Sequence, residues 1–341
     1  MSEISADIND ISGENDRVKK LPNVKSRRLF RVWRLAPALV LILALILHLT
    51  LPNRQVETVT GAYKVALLIF SGIYTGLFVF SIKIKKLRDR LNYLAPLIST
   101  GILLAIVWDL LTLKFNLLHL PWFPGPDMVL DVFVTSWQEL GIHLLYSLRL
   151  FFIGLALGGT IGFTAGVAIG WSPRWSYWLA PLQKLLGSIP AVAWLPLALV
   201  AAPSAFWASV FVVSLAVWLP VSVMTSSGVA NVKKSYFEVA RTLGANRNFV
   251  ISRVAIPAAL PTIFIGFFNA FVSSFLILVI AELAGVKAGI GWFIGWQQQF
   301  AEFQKVYAAI IVIALTFSGL ITMLFVIKDR ILVWQRGLIK W

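Results

Sequence analysis

The 341-residue sequence contains no cysteine and only three histidines, and these shortages exclude several kinds of site. A chain without cysteine can form no disulfide, no thiolate metal site and no cysteine nucleophile. The histidines, His48, His119 and His143, are not part of an H-E-x-x-H motif, which excludes the common zinc-protease pattern. The motif G-x-x-x-x-G-K-[ST] is also missing, so this chain has no P-loop of its own.

Charged residues are scarce as well, at 13% of the chain, whereas hydrophobic residues make up 59%. Soluble domains carry roughly 25% charged residues, so most of this surface must face something other than water. The net charge is +15, which in a soluble protein would suggest a nucleic-acid partner. Because membrane proteins concentrate Lys and Arg in cytoplasmic loops, we expect membrane lipid around the chain and no nucleic acid.

Long apolar runs are what the sequence has in abundance. A membrane-spanning helix needs roughly 17–25 mostly apolar residues, and eight segments are candidates. We therefore predict an all-α, polytopic membrane protein with about eight transmembrane helices. The first run follows four arginines and precedes no cleavage site, which predicts a retained signal anchor. The predicted spans are 35–51, 62–82, 93–113, 140–170, 177–202, 205–228, 258–283 and 304–327.

The distribution of basic residues predicts the orientation of these spans. If the N-terminus is cytoplasmic, the cytoplasmic segments hold 23 of the 30 Lys and Arg residues, and the loops on the opposite side hold three. The positive-inside rule then places both termini in the cytoplasm. We expect a disordered cytoplasmic tail at 1–30, three spans with few polar features at 31–118, and five spans at 119–341.

A cytoplasmic loop at 231–257 carries the most specific local pattern. Ser235 is a candidate N-cap, and Glu238 follows three residues later, as in a capping box. Gly244 suits the end of this short helix. A second short helix is predicted from about 247 to 256, closed by Pro257 because proline disfavours helix in the residue before it.

This loop exposes apolar side chains outside the bilayer. An exposed apolar patch with a charged rim is typical of a partner surface. An amphipathic segment lying on lipid would look similar, and the local physics leaves the two interpretations level. The apolar residues are Phe237, Val239, Ala240, Leu243 and Ala245, and the rim residues are Arg241, Arg247 and Arg253.

A resemblance in the sequence of the loop favours the partner surface over the lipid-bound segment. The sequence reads E-V-A-R-T-L-G-A at 238–245 and I-P-A-A-L-P at 256–261. This resembles the EAA loop of binding-protein-dependent ABC importer permeases, with Val239 in place of the first alanine and a lengthened I-x-L-P end. Further segments of that family's nitrate, sulfonate, taurine and bicarbonate branch are matched in order. They are L-P-W-F-P at 120–124, S-I-P at 188–190, A-E-L at 281–283 and G-I-G-W at 289–292.

The resemblance covers the chain from about Leu120 onward and implies a type I permease core of five helices, with the three N-terminal helices as additions. It implies a homodimer in the inner membrane, a separate ABC ATPase that binds ATP and Mg, and a periplasmic or extracellular substrate-binding protein. The chain itself would be a transport subunit without a cofactor, and the solute a small anion such as nitrate, bicarbonate or a sulfonate. The implied ATPase-docking residues are Glu238, Val239, Ala240, Arg241, Leu243, Gly244 and Ala245.

A few polar residues within the spans are candidates for the solute path. An ionisable group inside a membrane is costly, so it is expected to have a function or a buried partner. Arg149 and Glu282 both fall in the outer half of their spans, where an ion pair is possible, and Arg149 could instead receive an anion. Asp109 and Lys184 lie near span ends and are expected to extend toward water. The path candidates are Arg149, Ser147, Asn269, Ser273 and Glu282.

The fourth predicted span carries glycine at every fourth position, at Gly154, Gly158, Gly162, Gly166 and Gly170. Such a row forms a flat ridge that another helix can approach closely. Tight packing within one subunit is the simpler interpretation, and a sliding surface for alternating access is the other.

Two other classes of protein remain as alternatives. An ion- or proton-coupled secondary transporter needs intramembrane carboxylates or histidines as relays, and only Asp109 and Glu282 are candidates. An intramembrane enzyme would need a catalytic pattern such as G-x-S-x-G, which does not occur in the spans.

Overall fold

The computed structural model describes residues 33–55 and 61–333, and every regular element in these two ranges is helical. The predicted all-α fold is therefore confirmed. Within the described residues, seven helices are long and apolar enough to cross a membrane, and a bent pair adds an eighth candidate. The predicted disordered tail at 1–30 lies outside the described residues. Contacts divide the chain into an N-terminal unit that ends at Asp131 and a core unit that begins at Val132.

The N-terminal unit contains three apolar helices at the positions predicted for the first three spans. They are α1 (Ala36–Thr50), α2 (Ala62–Lys83) and α3 (Lys85–Asp109). A short 3-10 turn, Trp33–Leu35, precedes α1. The three helices share a core of buried side chains, which includes Leu41, Leu67, Tyr74, Leu91 and Ile106.

A buried group of charged side chains joins the ends of α1 and α3. Helix α3 continues into a π-helical turn, Leu110–Lys114, and the Asp109 carboxylate lies 3.0 Å from Nδ1 of His48 on α1. The Lys114 ammonium donates to the backbone carbonyls of His48 and Leu51, at 2.5 and 2.9 Å. A cation is favourable at a helix C-terminus, because the last carbonyls have no partner within the helix.

Asp109 is only 3% exposed, so the prediction that it extends toward water is wrong. Its carboxylate turns inward because the π-helical turn brings the end of α3 against α1, where His48 is available.

Helix α4 (Pro126–Thr135) begins the link between the two units. The buried carboxylate of Asp127 accepts hydrogen bonds from the backbone N–H groups of Gly61 and Tyr63, at 3.2 and 2.8 Å. These bonds tie the start of α4 to the start of α2, so the N-terminal unit extends past the predicted boundary at 118.

The core unit is built around long helices. They are α5 (Trp137–Trp171), α8 (Ala205–Ala230), α11 (Ile256–Gly285) and α13 (Phe303–Ile331), and α8 packs along both α5 and α11. The rings of Phe151, Phe271 and Phe317 meet edge to face where α5, α11 and α13 come together.

The segment predicted as the fifth span, 177–202, is not one straight helix. It consists of α6 (Pro173–Gly187), a 3-10 turn (Ala191–Trp194) and α7 (Leu195–Ala201), with a 90° bend between its halves. Pro190 lies at the bend in an extended conformation, with ψ at 134°. Proline lacks an N–H donor and disfavours helix in the residue before it, which favours a break at this point.

Candidate functional site

Helix α9 (Lys234–Thr242) forms the first part of the loop at 231–257. It starts after Lys233, which has no capping side-chain bond, so the prediction of Ser235 as N-cap is wrong. Helix α8 ends at Ala230, and the chain becomes helical again at Lys234, which puts Ser235 inside the first turn.

The end of α9 is fixed by a backbone motif around Gly244. Gly244 has a φ of +79°, a conformation that glycine adopts at little cost. Its N–H bonds to the carbonyl of Arg241 at 2.9 Å, and the N–H of Ala245 bonds to the carbonyl of Ala240 at 3.0 Å. This pair of bonds is a Schellman motif, and Gly244 therefore ends the helix as the sequence predicted.

Helix α9 has an inner and an outer face. On the inner face, Ala240 is buried and the Phe237 ring meets the Trp171 ring edge to face at 5.5 Å. Trp171 is the last residue of α5, so α9 rests on the end of a long core helix. On the outer face, Val239 is 59% and Leu243 is 82% exposed. Glu238, Arg241 and Gly244 are also exposed.

The outer face of α9 forms one wall of a groove of about 690 Å³. The opposite wall comes from the chain after Gly244, where the Asn246 side chain accepts a hydrogen bond from the N–H of Phe249 at 2.9 Å. Phe249 and Val254 line this wall, and sequence reasoning missed both. Asn246, a residue type that favours N-caps, was the available signal that the next turn begins there. We call the concave surface made by Tyr236, Val239, Leu243, Phe249 and Val254 the loop groove.

The second half of the loop is continuous with the span that follows it. A short helix α10 (Arg247–Phe249) and a π-helical turn (Val250–Ala255) lead directly into α11, with Pro257 in its first turn. The prediction that Pro257 closes a separate helix is therefore wrong. The π-helical turn just before Pro257 changes the backbone hydrogen-bond pattern, and the helical run continues through a residue that has no N–H to donate.

At the other end of α11, three side chains accept hydrogen bonds from consecutive backbone N–H groups at 289–291. The Glu282 carboxylate, the Ser147 hydroxyl and Nδ1 of His143 accept them at 2.7, 2.7 and 3.2 Å. These N–H groups lie at the start of helix α12 (Ile290–Gln299), where the first N–H groups have no partner within the helix. Glu282 is completely buried, and we call this arrangement the α12 cap.

The remaining path candidates lie elsewhere. The Arg149 guanidinium lies 5.2 Å from the centre of the Phe206 ring, and within 61–333 it does not form the possible ion pair with Glu282. Asn269 and Ser273 are exposed one turn apart on α11, on a stripe of otherwise apolar residues. The structure thus brings Ser147 and Glu282 together, and separately Asn269 and Ser273.

The glycine row of α5 lies against the backbone of α8. A Cβ atom added to Gly162 would lie 2.7 Å from the carbonyl oxygen of Trp218, and one added to Gly170 would lie 2.6 Å from that of Ser226. Cβ atoms added to Gly158 and Gly166 would likewise meet the carbonyl oxygens of Ser214 and Ser222, whereas one added to Gly154 would meet the side chain of Val213. We call this contact, which lies within one subunit, the glycine seam.

Comparison with known proteins identifies a family and several relatives of this chain. The family described as binding-protein-dependent transport system inner membrane component matches residues 158–332. A protein of Bacillus subtilis (strain 168) named as an aliphatic sulfonates transport permease, SsuC, is 30% identical over 264 residues, covering 76% of this chain and 92% of the relative.

Two further relatives are cyanobacterial. The bicarbonate transport system permease protein CmpB of Synechococcus elongatus is 34% identical over 191 residues, which cover 55% of this chain and 65% of CmpB. The nitrate import permease protein NrtB of a Synechocystis strain is 30% identical over 202 residues, which cover 59% of this chain and 70% of NrtB.

Proposed function

This chain belongs to the family of binding-protein-dependent transport system inner membrane components, and we propose that it forms the path by which an ATP-driven importer admits a small anion. As a permease of an ABC importer, it is a transport subunit of the inner membrane. Permeases of this kind work with an ATPase and a substrate-binding protein. The finer statements below, on docking, orientation, copy number and solute, are proposals.

The loop groove carries the docking proposal. It is apolar, open and outside the predicted spans, and Leu243 at its edge is 82% exposed. An exposed apolar surface of this kind is typical of a protein interface. We assign it to a separate ATPase subunit that binds ATP and Mg, on the cytoplasmic side where the positive-inside rule also puts both termini.

Two contacts could transmit a movement of the loop groove to the membrane-spanning helices. Phe237 presses on Trp171 at the end of α5, and the groove wall formed by 247–255 is one continuous helical run with α11. A push on the loop groove would therefore move α5 and α11 as rigid elements, which is a common type of switching transition.

The two exposed polar residues in the middle of α11 support a second copy of the chain as partner. Asn269 and Ser273 would face lipid in a monomer, which is unfavourable for polar side chains. If α11 of two copies face each other across a central path, these residues meet water and solute. The named relatives carry sulfonates, bicarbonate or nitrate, so a small anion delivered by a binding protein on the outer side is the proposed solute.

The docking proposal is tested with Leu243→Glu. The full transporter would be purified through a tag on this chain, and the amount of bound ATPase and the ATP-dependent uptake would be measured. We expect a loss of about 2 kcal/mol or more of binding free energy, roughly thirtyfold in affinity, as for other central interface residues. Leu117→Glu is the control, because Leu117 is also apolar, is 64% exposed and lies in a loop far along the chain.

Two results would contradict the proposal. One is unchanged ATPase binding and uptake by the Leu243→Glu transporter. The other is uptake by this chain alone without ATP, which would favour the ion- or proton-coupled secondary transporter instead.

A further inference from the structure

The short connection between α2 and α3 in the N-terminal unit carries a concentrated positive charge. Residues 83–90 contain five Lys or Arg residues and one acidic residue, Asp89. The lysines Lys83, Lys85 and Lys86 are all exposed. None of the five cations takes part in an ion pair within the part of the chain that the structure describes.

A sixth cation, Arg34, is held at the same end of this unit. The turn that contains it packs against α3, its carbonyl accepts a hydrogen bond from the Tyr74 hydroxyl at 2.7 Å, and its guanidinium lies 5.0 Å from the centre of the Phe78 ring. Both aromatic residues belong to the last half of α2. The Nη1 atom of Arg34 is buried and has no acceptor among the described residues, so a small shift of this half-buried side chain would bring an unpartnered donor to a ligand beside the basic connection.

Aromatic side chains mark this end as the level of the membrane surface. Tyr93, two turns into α3, is 79% exposed, and Trp33, beside Arg34, is 44% exposed. Tyr and Trp with exposed rings are enriched where a bilayer meets water, at the depth of the lipid headgroups. The cations and the aromatic residues therefore lie where phosphate groups of the lipid are found.

We propose that this end of the N-terminal unit binds the headgroup of an anionic phospholipid. A planar guanidinium matches a phosphate through paired N–H donors, and clustered lysines next to spanning helices are typical of sites for anionic lipids. Arg34 would hold the phosphate, and Lys85 and Lys86 would supply the surrounding positive potential. This assignment gives the three N-terminal helices a ligand and does not depend on the transported solute.

The test is native mass spectrometry of the purified full-length chain with equal amounts of phosphatidylglycerol and phosphatidylcholine. We expect wild-type protein to retain phosphatidylglycerol preferentially. The double variant Arg34→Gln with Lys85→Gln should lose that preference by roughly tenfold or more, given the strength of such contacts. The matched control, Lys328→Gln with Arg330→Gln, removes the same charge from the end of α13 and should behave as wild type.

A second variant keeps the test decisive if the first does not fold. Arg34→Lys preserves the charge but not the planar fork, and it should bind phosphatidylglycerol at an intermediate level. The proposal is overturned if wild-type protein shows no preference between the two lipids, if Arg34→Gln with Lys85→Gln retains the full preference, or if the control loses as much as the test variant.

Discussion

The two units hold their helices together in different ways. In the N-terminal unit, α1 and α3 are joined by a few buried polar contacts, with His48, Asp109 and Lys114 in one connected group. In the core unit, α5 and α8 are joined by the glycine seam, in which a row of glycines on α5 lies close to the backbone of α8 over more than four turns. Lipid tails are as apolar as the helix surfaces, so helices in a membrane associate through close packing or polar contacts. The N-terminal unit adds polar contacts to its apolar packing, and the core unit relies mainly on close packing.

This difference predicts how each unit responds to change. Close packing spreads its contribution over many small contacts, so it tolerates little added volume anywhere along the seam. A buried polar group depends on each of its members, because removing one leaves another buried without a partner.

The largest effect is expected from Gly158→Leu combined with Gly162→Leu. The new side chains would meet the backbone of α8, including the carbonyl of Trp218, so the two helices would have to separate. We expect loss of monodisperse protein in size-exclusion chromatography and loss of uptake. The matched control is Gly72→Leu with Gly76→Leu in α2, since added Cβ atoms there meet nothing within 4 Å. Normal transport by the α5 variant would show that the glycine seam is not what holds α5 to α8.

A smaller loss is expected from Asp109→Leu in the N-terminal unit. Removing Asp109 leaves Nδ1 of the buried His48 without its partner, and an unsatisfied buried polar group of this kind costs about 2–3 kcal/mol. The midpoint of thermal unfolding, followed by tryptophan fluorescence, should fall. Adding His48→Leu should restore much of the loss, because replacing both partners of a buried hydrogen bond by apolar groups can be nearly neutral. If the double variant is no more stable than Asp109→Leu, the pair is not what joins α1 to α3.

The smallest effect concerns the α12 cap, the place where the core unit also depends on a buried carboxylate. Glu282→Ala leaves the N–H of Gly291 buried without an acceptor, which costs about 1–3 kcal/mol. Glu282→Gln keeps a carbonyl oxygen for this bond and should lose less. Thermal unfolding of both variants distinguishes hydrogen bonding from charge. Equal losses in the two would mean that the negative charge itself is required.

Sequence patterns were sufficient for features that depend on neighbouring residues. Long apolar runs identified the spans, and Gly244 marked the end of α9 because its positive φ is a local requirement. The pattern of the loop, and not its amphipathicity, indicated the family. Exposure of Leu243 on the outer face of α9 agrees with the interpretation that this loop meets a partner.

The features that were missed depend on contacts between distant residues. His48 and Asp109 are 61 positions apart, so their pairing has no local signal. The π-helical turns at 110–114 and 250–255 have no simple sequence pattern, and the second of them carries the helix through Pro257. Arg149 and Glu282 were correctly placed in spans. They do not pair because their side chains point in different directions around their helices, which the sequence does not indicate.

Helix α5 is 35 residues long, and two of its contacts give that length a mechanical meaning. Ser147 touches the α12 cap near one end, and Trp171 supports α9 at the other. The two residues are about 36 Å apart along the axis, so a tilt of about 5° about the middle of the helix would carry each of them about 1.6 Å, in opposite directions. Because the glycine seam packs α8 tightly against α5, the two helices would tilt together as one rigid body. A displacement smaller than a single side chain at the loop groove can therefore reach the opposite end of α5 without any helix bending.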